Sequence, residues 1–383
     1  MRFLRGVGNF LRKADLLLLV LCLAASAFGV VMVASASAHF NSSRYMLLQL
    51  AAVGIGLVLY VLMTLFDIDI LAQQTRLLLI FNALFISTLF FWGVQGNTGN
   101  RSWLEFKWLP FNIQPAEICK ITFIIISAKL MSTYRSHISE PRIIALLLAH
   151  VIATVGLILV ASDDMGVALI YVFIFLVMCF VGGVSRYWFL AGLGLAAVVL
   201  PTLWFLILRQ DQKDRIIALF DPSIDTAGEG VLWQTNLSLR AIRGGGVTGQ
   251  GLFHGALTQS GVNPQQHNDF IFSAVAEELG IVGCIVLLLL LLAIVARCIY
   301  VGVKSGSYMN RVICVGIAAM LLFQIAVNIG MCLGLLPVVG LTLPLISYGG
   351  SSVVATYFAL GIVSGIHMRP SPDGAAIYIR PKQ

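Results

Sequence analysis

Apolar residues run in stretches along almost the whole chain, with short polar segments between them. A helix needs about 20 mostly apolar residues to cross a bilayer, whereas an outer-membrane barrel needs an alternating pattern that is weak here. The chain is therefore predicted to be an all-α, polytopic membrane protein with about ten transmembrane helices. A tenth, weaker span at 116–131 carries charged residues; the nine clear spans are 16–36, 45–66, 77–95, 143–161, 165–183, 187–208, 279–299, 312–336 and 344–366.

Two polar segments between the spans are unusually long, 96–116 and 209–269. The second is rich in Gly, Gln, Asn and Arg and has little apolar periodicity, so it is predicted to be one large extracytoplasmic loop. It lies within a single membrane domain that covers 1–383, and we expect contacts from elsewhere to order it. Functional residues collect on such loops when a rigid scaffold holds them.

The chain is basic, with 24 Lys and Arg against 17 Asp and Glu and a net charge of +7. In a soluble protein this balance would suggest nucleic acid, but here 59% of the residues are hydrophobic and only 11% are charged. Basic loops that face anionic membrane lipids explain the charge, and no nucleic-acid partner is expected. The basic residues concentrate in the short segments that lie on the same side of the membrane as the amino terminus. This bias predicts cytoplasmic termini and an extracytoplasmic position for 209–269.

The cysteines and histidines show no metal-binding spacing. All seven cysteines lie in apolar stretches, none forms a CxxC pair, and the six histidines are scattered. Helix packing is the expected role of these cysteines, and neither a metal site nor a disulfide framework is predicted.

Ionisable side chains at membrane depth are costly, which makes them candidates for function. Glu117 and Lys120 follow Pro115 and are three residues apart, so they share a helix face and can pair. They either neutralise each other within a weak span or form the polar wall of an outward-facing cavity. Asp163 and Asp164 precede an apolar stretch, where they either cap a helix or form a ligand or cation site.

Two further polar clusters flank the end of the long segment. Asp269 opens the next helix, with Glu277 and Glu278 following, and it either caps that helix or serves in catalysis or ion coupling. Arg240 and Arg243 lie beside a run of glycines whose backbone N–H groups could hold a phosphate, although the run is not a Walker motif. The alternative for this run is a flexible loop.

Taken in order, these motifs resemble the SEDS family (shape, elongation, division and sporulation) over nearly the whole chain. No single motif carries the resemblance, which depends on their order and spacing. The motifs are Asn100-Arg101-Ser102-Trp103, Gln114-Pro115-Ala116-Glu117 with Lys120, Asp164-Met165-Gly166, Gln234 with Ser238, Ala241-Ile242 and Gly245-Gly246, His267-Asn268-Asp269-Phe270-Ile271-Phe272, Glu277-Glu278-Leu279-Gly280, and the segments 335–340 and 345–351.

The resemblance implies a peptidoglycan glycosyltransferase of the bacterial cytoplasmic membrane, most like the RodA branch, that polymerises glycan strands from lipid II. It also implies that a class B penicillin-binding protein is the partner and that Asp269 is the catalytic aspartate. A divalent cation, Mg²⁺ or Mn²⁺, is a candidate cofactor, without a dedicated ligand cage in the sequence. The implied substrate-binding residues are Arg101, Trp103, Glu117, Lys120, Asp164, Gln234, Ser238, Arg240 and Arg243.

Other functions stay open at this point. A lipid II flippase would use the same carboxylates to alternate access, and a non-enzymatic scaffold would only recruit cell-wall enzymes. The short amino-terminal segment and the loops favour elongation and shape maintenance over a division or sporulation role. The chain departs from the family pattern at Asn268, Gln265, Leu237, Asp163 and Arg243.

Overall fold

The computed structural model describes residues 13–40, 43–95, 100–106, 109, 111–206, 208–225 and 230–369. Within them the chain is nearly all helical, and one antiparallel pair of two-residue strands, β1 (Gly93–Val94) and β2 (Trp103–Leu104), is present. The α-helices are α1 (Leu16–Ala36), α2 (Arg44–Leu65), α3 (Ile68–Gln73), α4 (Thr75–Trp92), α5 (Pro115–Thr133), α6 (Pro141–Ser162), α7 (Met165–Gly182), α8 (Arg186–Leu206), α9 (Gln210–Ile217), α10 (Trp233–Gly245), α11 (Ala256–Ser260), α12 (Ile271–Lys304), α13 (Tyr308–Cys332) and α14 (Gly350–Met368).

The predicted spans are present as helices. Nine helices in the described part of the chain are long and apolar enough to cross a membrane. The weak tenth span is the 19-residue helix α5, which carries Glu117, Lys120 and Lys129. Because 14 of its 19 residues are buried, α5 lies inside the helix bundle, where other helices shield its charges from lipid. These helices confirm the all-α, polytopic architecture.

The outer helices present apolar side chains to their surroundings. Helix α8 buries none of its residues, and its Leu193 and Val198 are exposed. In water such a surface would be strongly unfavourable, whereas in lipid it is the expected outer face of a span. The protein is therefore a multi-pass membrane protein.

The segment 209–269 is not one extended loop. It contains α9, α10 and α11, and α10 packs along α12. Thr235, Leu237 and Ser238 of α10 are buried, and Ser238 Oγ donates to the Cys332 carbonyl at the end of α13. The prediction of a single large loop is therefore not confirmed, because part of the segment folds onto the helix bundle.

Helix α12 bends sharply near its start. Gly280 has φ 65° and ψ −165°, which interrupts the helical hydrogen bonds around it. Unpaired backbone groups in a membrane protein cost several kcal/mol each. The glycine-rich loop 246–251 supplies the missing partners through four main-chain bonds: Ile281 N to Gly246 O (3.0 Å), Val282 N to Val247 O (3.2 Å), Gln250 N to Glu277 O (2.9 Å) and Gly251 N to Glu278 O (3.0 Å).

This arrangement gives the glycine run a structural role. The N–H groups of Gly249, Gln250 and Gly251 all donate to main-chain carbonyls within the protein, so they do not point at a bound anion. The hypothesis of a phosphate cradle in this loop is therefore not supported. Glycine is needed instead because loop and helix backbones approach each other closely.

The substitution Gly249→Ala should sharply reduce the amount of folded protein. Gly249 has φ +81°, and an added Cβ would overlap the main-chain carbonyl of Glu278. Neither backbone can move without breaking the bonds at the bend, so we expect a loss of at least about 2 kcal/mol in stability. The unfolding temperature in detergent measures this loss of stability. The matched control is Gly194→Ala in α8, where an added Cβ meets nothing within 4 Å; equal unfolding temperatures for the two variants would contradict the account.

The segment between α13 and α14 completes the fold around the candidate site. The sequence predicts a span at 344–366, but helix α14 begins only at Gly350. Residues 335–349 contain Pro337, Gly340 and Pro344 and run without regular helix, and they are mostly buried from Leu341 to Ser347. Several of their residues line the cavity described below.

Candidate functional site

A cavity of about 670 Å³ lies where several helices begin. Arg44 is the first residue of α2, and Asp164 is the N-cap of α7. Helix amino termini carry partial positive charge, which offsets part of the negative charge of the lining carboxyl groups of Glu105, Glu117, Asp164 and Asp269. Five helices, α2, α5, α7, α12 and α14, contribute lining residues within three positions of their first residue.

Asp269 lies in the turn just before α12 and lines this cavity. The N-cap of α12 is Phe270, so Asp269 does not cap the helix. Within the described residues no hydrogen bond reaches its carboxylate. Burial raises the pKa of Asp269 to about 7, and the negative charge of Asp164 adds to the shift. The side chain is therefore a buried carboxyl group that is available to a ligand and able to exchange a proton near neutral pH.

Asp164 is held more tightly. Its Oδ1 accepts the Val167 N–H at 3.0 Å, which caps α7, and its Oδ2 accepts from Ser102 Oγ at 3.0 Å and Gln114 Nε2 at 3.4 Å. Burial raises the pKa of the Asp164 carboxyl. The capping interpretation is thus correct, and the same carboxylate also lines the cavity. Its neighbour Asp163 lies outside the cavity lining and pairs with Arg209 at 2.5 Å.

Glu117 and Lys120 form a buried ion pair on one face of α5. Lys120 Nζ donates to Glu117 Oε1 at 2.7 Å, and their side chains are 1% and 6% exposed, respectively. Glu117 lines the cavity, while Lys120 lies behind it. The pair therefore neutralises itself, and Glu117 adds a polar side chain to the cavity wall.

The other predicted site residues divide into two groups. Trp103 lines the cavity from β2, whereas Arg101 is exposed and does not line it. Helix α10 carries the rest, and none of them lines the cavity. Ser238 donates from Oγ to the Cys332 carbonyl at 2.7 Å. The remaining three are the half-buried Gln234 and the exposed Arg240 and Arg243.

Several lining residues were not predicted from the sequence. Tyr45 and Tyr348 meet edge to face with ring centroids 5.1 Å apart, and Tyr45 also contacts the ring of His267 at 4.6 Å. Tyr45 and Tyr348 line the same cavity as Asp269. The other unpredicted polar lining residues include Arg44, Gln95, Glu105, Asn112, Gln265, Asn268, Thr342 and Ser352.

The carboxylates of Glu277 and Glu278 accept hydrogen bonds from α11 and α1. Glu277 accepts the N–H of Leu257 at 2.8 Å and the N–H and Oγ1 of Thr258 at 2.7 and 2.6 Å. Glu278 accepts from Ser35 Oγ at 2.7 Å and from Gln259 Nε2 at 2.9 Å. Neither lines the cavity, so the three carboxylates grouped in the sequence serve different purposes.

A dedicated metal cage is absent from the residues that the structure describes, which contain no group of three or more His, Cys, Asp or Glu side chains placed to hold an ion. Asp164 and Asp269 are the nearest approach to one, but Asp164 already accepts three hydrogen bonds. These residues do not by themselves form the ligand set of a divalent cation.

Comparison with known proteins places the chain in a family. MrdB of Escherichia coli (strain K12), named a peptidoglycan glycosyltransferase, is 35% identical over 70% of this chain and 71% of its own length. FtsW of Geobacter sulfurreducens (strain DL-1 / KN400), named a probable peptidoglycan glycosyltransferase, is 34% identical over 94% of this chain and 96% of its own.

A solved structure agrees with these relatives. A chain of a peptidoglycan synthase complex, solved to explain how polymerization and crosslinking are coordinated, matches with a TM-score of 0.78 and 31% identity. The match covers 92% of this chain and 97% of that one. The model of the cell cycle proteins FtsW, RodA and SpoVE matches residues 15–371. The chain therefore belongs to the FtsW/RodA/SpoVE family.

Proposed function

We propose that this protein is a peptidoglycan glycosyltransferase that extends glycan strands from lipid II. The observation that carries the proposal is Asp269, a buried carboxyl group without a hydrogen bond from the described residues, in a cavity ringed by helix amino termini. The names of the relatives at 34–35% identity support the reaction class.

The reaction is an inverting transfer. The acceptor 4-hydroxyl attacks the anomeric carbon of the donor, a new C–O bond forms, and the bond to the diphosphate breaks. The Asp269 carboxylate takes the hydroxyl proton, and the diphosphate leaves with the bonding electron pair. A second carboxylic acid is unnecessary because diphosphate departs unprotonated, unlike the leaving groups of glycosidases, which use two carboxyl groups.

The leaving diphosphate needs positive charge nearby. Lys120, Arg101, Arg240 and Arg243 do not line the cavity. Arg44 is the basic residue that lines it among those the structure describes. We therefore assign diphosphate binding to Arg44, supported by the positive ends of the surrounding helices.

A divalent cation, Mg²⁺ or Mn²⁺, would add positive charge when bound. Asp164 and Asp269 would hold it, without further protein ligands of a cage among the residues that the structure describes. The residues of the chain act by binding the anion at Arg44 and accepting the proton at Asp269.

The membrane orientation and the partner are part of the proposal. The basic segments favour cytoplasmic termini, which puts the cavity and the 209–269 segment on the outer side, where glycan strands assemble. The likeness to a chain of a peptidoglycan synthase complex supports a class B penicillin-binding protein as the partner. The resemblance of the motifs to the RodA branch favours a role in elongation, which rescue of rod shape rather than of septation in depleted cells would test.

Polymerisation of lipid II by the purified protein tests the function directly. We expect glycan strands in detergent or vesicles, with a higher yield when the class B partner is added. Translocation of lipid II across vesicles without polymer would support a flippase instead. Recruitment of the partner with neither polymer nor translocation would support a scaffold.

The rate of polymerisation should depend on pH through Asp269. A base works only when it is unprotonated, and the pKa of Asp269 is raised to about 7. The rate should therefore fall about tenfold per pH unit below pH 7 and level off above it. The charge of Asp164 contributes to the raised pKa, so Asp164→Asn should move the profile to lower pH. A profile that is flat between pH 5.5 and 8, an interval of about 2.5 units around this pKa, would contradict Asp269 as the base.

A further inference from the structure

Asp269 is hydrogen-bonded to α13 through its main-chain carbonyl and not through its carboxylate. Its carboxylate accepts no hydrogen bond from the described residues, so side-chain contacts of that kind do not orient it. Its main-chain carbonyl, by contrast, accepts the Nδ2 of Asn328 at 2.8 Å. The Cys332 Sγ lies 3.7 Å from the same carbonyl and is the weaker donor.

Asn328 joins two walls of the cavity. Its Nδ2 also donates to the Leu341 carbonyl at 2.7 Å. Leu341 belongs to the segment 339–342, all of which lines the cavity. Both partners are carbonyl oxygens and can only accept, so the amide nitrogen must face them. One buried side chain near the carboxyl end of α13 thus links the Asp269 turn to the cavity wall at 339–342.

The side-chain amide of Asn328 is shielded from water. Asn328 is fully buried in α13, with 0% exposure. Its Oδ1 has no partner among the described residues. A buried polar group without a partner is unfavourable, and a core residue chosen only for packing would be apolar. The two N–H bonds are therefore the feature that explains an asparagine here.

We propose that Asn328 is a positioning residue for Asp269. This inference rests on the proposed function and adds to it the element that holds the base in place. Asn328 does not touch the substrate in this account. It acts by keeping the Asp269 carboxylate within reach of the acceptor hydroxyl, since a displacement of about 1 Å can cost about a hundredfold in rate.

The test compares two buried amides on the same helix. Asn328→Leu keeps a similar volume but removes both donors. The matched control is Gln324→Leu, one turn earlier on α13, because Gln324 is 1% exposed and makes no hydrogen bond to Asp269 or to 339–342. The purified full-length proteins are assayed for polymerisation of lipid II and for lipid II binding.

We expect kcat of Asn328→Leu to fall at least about tenfold, with KM and lipid II binding within about twofold of the wild type. Gln324→Leu should keep its kcat. A folded Asn328→Leu with normal kcat would overturn the proposal, and so would an equal fall in Gln324→Leu. A rise in KM with normal kcat would also overturn it, because it would assign Asn328 to substrate binding.

A second variant with a smaller side chain keeps the test decisive if Asn328→Leu fails to fold. Asn328→Ser fits without steric conflict, but its short hydroxyl cannot reach both carbonyls, so the same fall in kcat is expected, with Gln324→Ser as the control. Failure of this proposal is separable from failure of the proposed function. If the wild type makes no glycan polymer, the function itself is wrong, whereas normal polymer from both Asn328 variants rejects only the positioning role.

Discussion

The variant Asp269→Asn should lose polymerisation by about a hundredfold or more, the scale of a positioned base. Asparagine keeps the size of the side chain but cannot take the proton from the acceptor hydroxyl. Folding should be preserved, because Asp269 neither caps α12 nor receives a hydrogen bond on its carboxylate from the described residues. Lipid II binding should persist as well, since Arg44 and the helix termini are unchanged.

The control is a second acid in the same cavity. Glu105 is exposed and lines the cavity. Glu105→Gln removes one negative charge, as Asp269→Asn does, but does not remove the proposed base. Polymer yield from lipid II should therefore stay near normal in this variant. Near-normal polymer from Asp269→Asn would remove Asp269 from the mechanism and leave Asp164 as the carboxylate to examine next.

The membrane helices were predictable because their signal is local. A run of about 20 apolar residues has few structural solutions in a bilayer, and only helices satisfy the backbone within one segment. The capping role of Asp164 is local for the same reason, since its partner Val167 lies three residues away. The Glu117–Lys120 pair also follows from spacing on a single helix.

The composition of the cavity was harder to predict because its walls meet over long distances in sequence. No motif in the sequence singles out Arg44, and only the packing of α2 brings it to the site. Tyr45 meets Tyr348 from about 300 positions away, a separation that no local pattern indicates. The two prolines and Gly340 of segment 335–349 predict a break between the last two spans, but the break extends to Gly349, beyond the predicted start at 344.

The glycine-rich loop shows a different limit. Glycines beside arginines are compatible with an anion site and equally with a close approach of two backbones. The positive φ of Gly280 decides in favour of the close approach of two backbones. The bend there leaves main-chain groups whose hydrogen bonds the loop completes. Arg240 and Arg243 then lie exposed on α10, away from the cavity lining. Their role in binding substrate stays a prediction.

Breaking the Glu117–Lys120 pair should strongly destabilise the protein. Both side chains are buried, and Lys120 Nζ lies 2.7 Å from Glu117 Oε1. Removing one partner leaves the other charge buried and uncompensated, at a cost of about 3–5 kcal/mol. Lys120→Met and Glu117→Gln should each lower the yield of folded protein and its unfolding temperature in detergent. By contrast, Arg209→Gln, which breaks the half-exposed pair with Asp163, should cost at most about 1 kcal/mol.

Two double variants then separate stability from activity. Glu117→Gln with Lys120→Met removes both charges, so the unfolding temperature should recover most of its loss. Exchanging the residues, Glu117→Lys with Lys120→Glu, should recover part of it by restoring opposite charges. Because Glu117 lines the cavity and Lys120 does not, polymerisation should stay low in both double variants if Glu117 contacts lipid II. Single variants that are as stable and as active as the wild type would show that the pair contributes neither to the fold nor to the site.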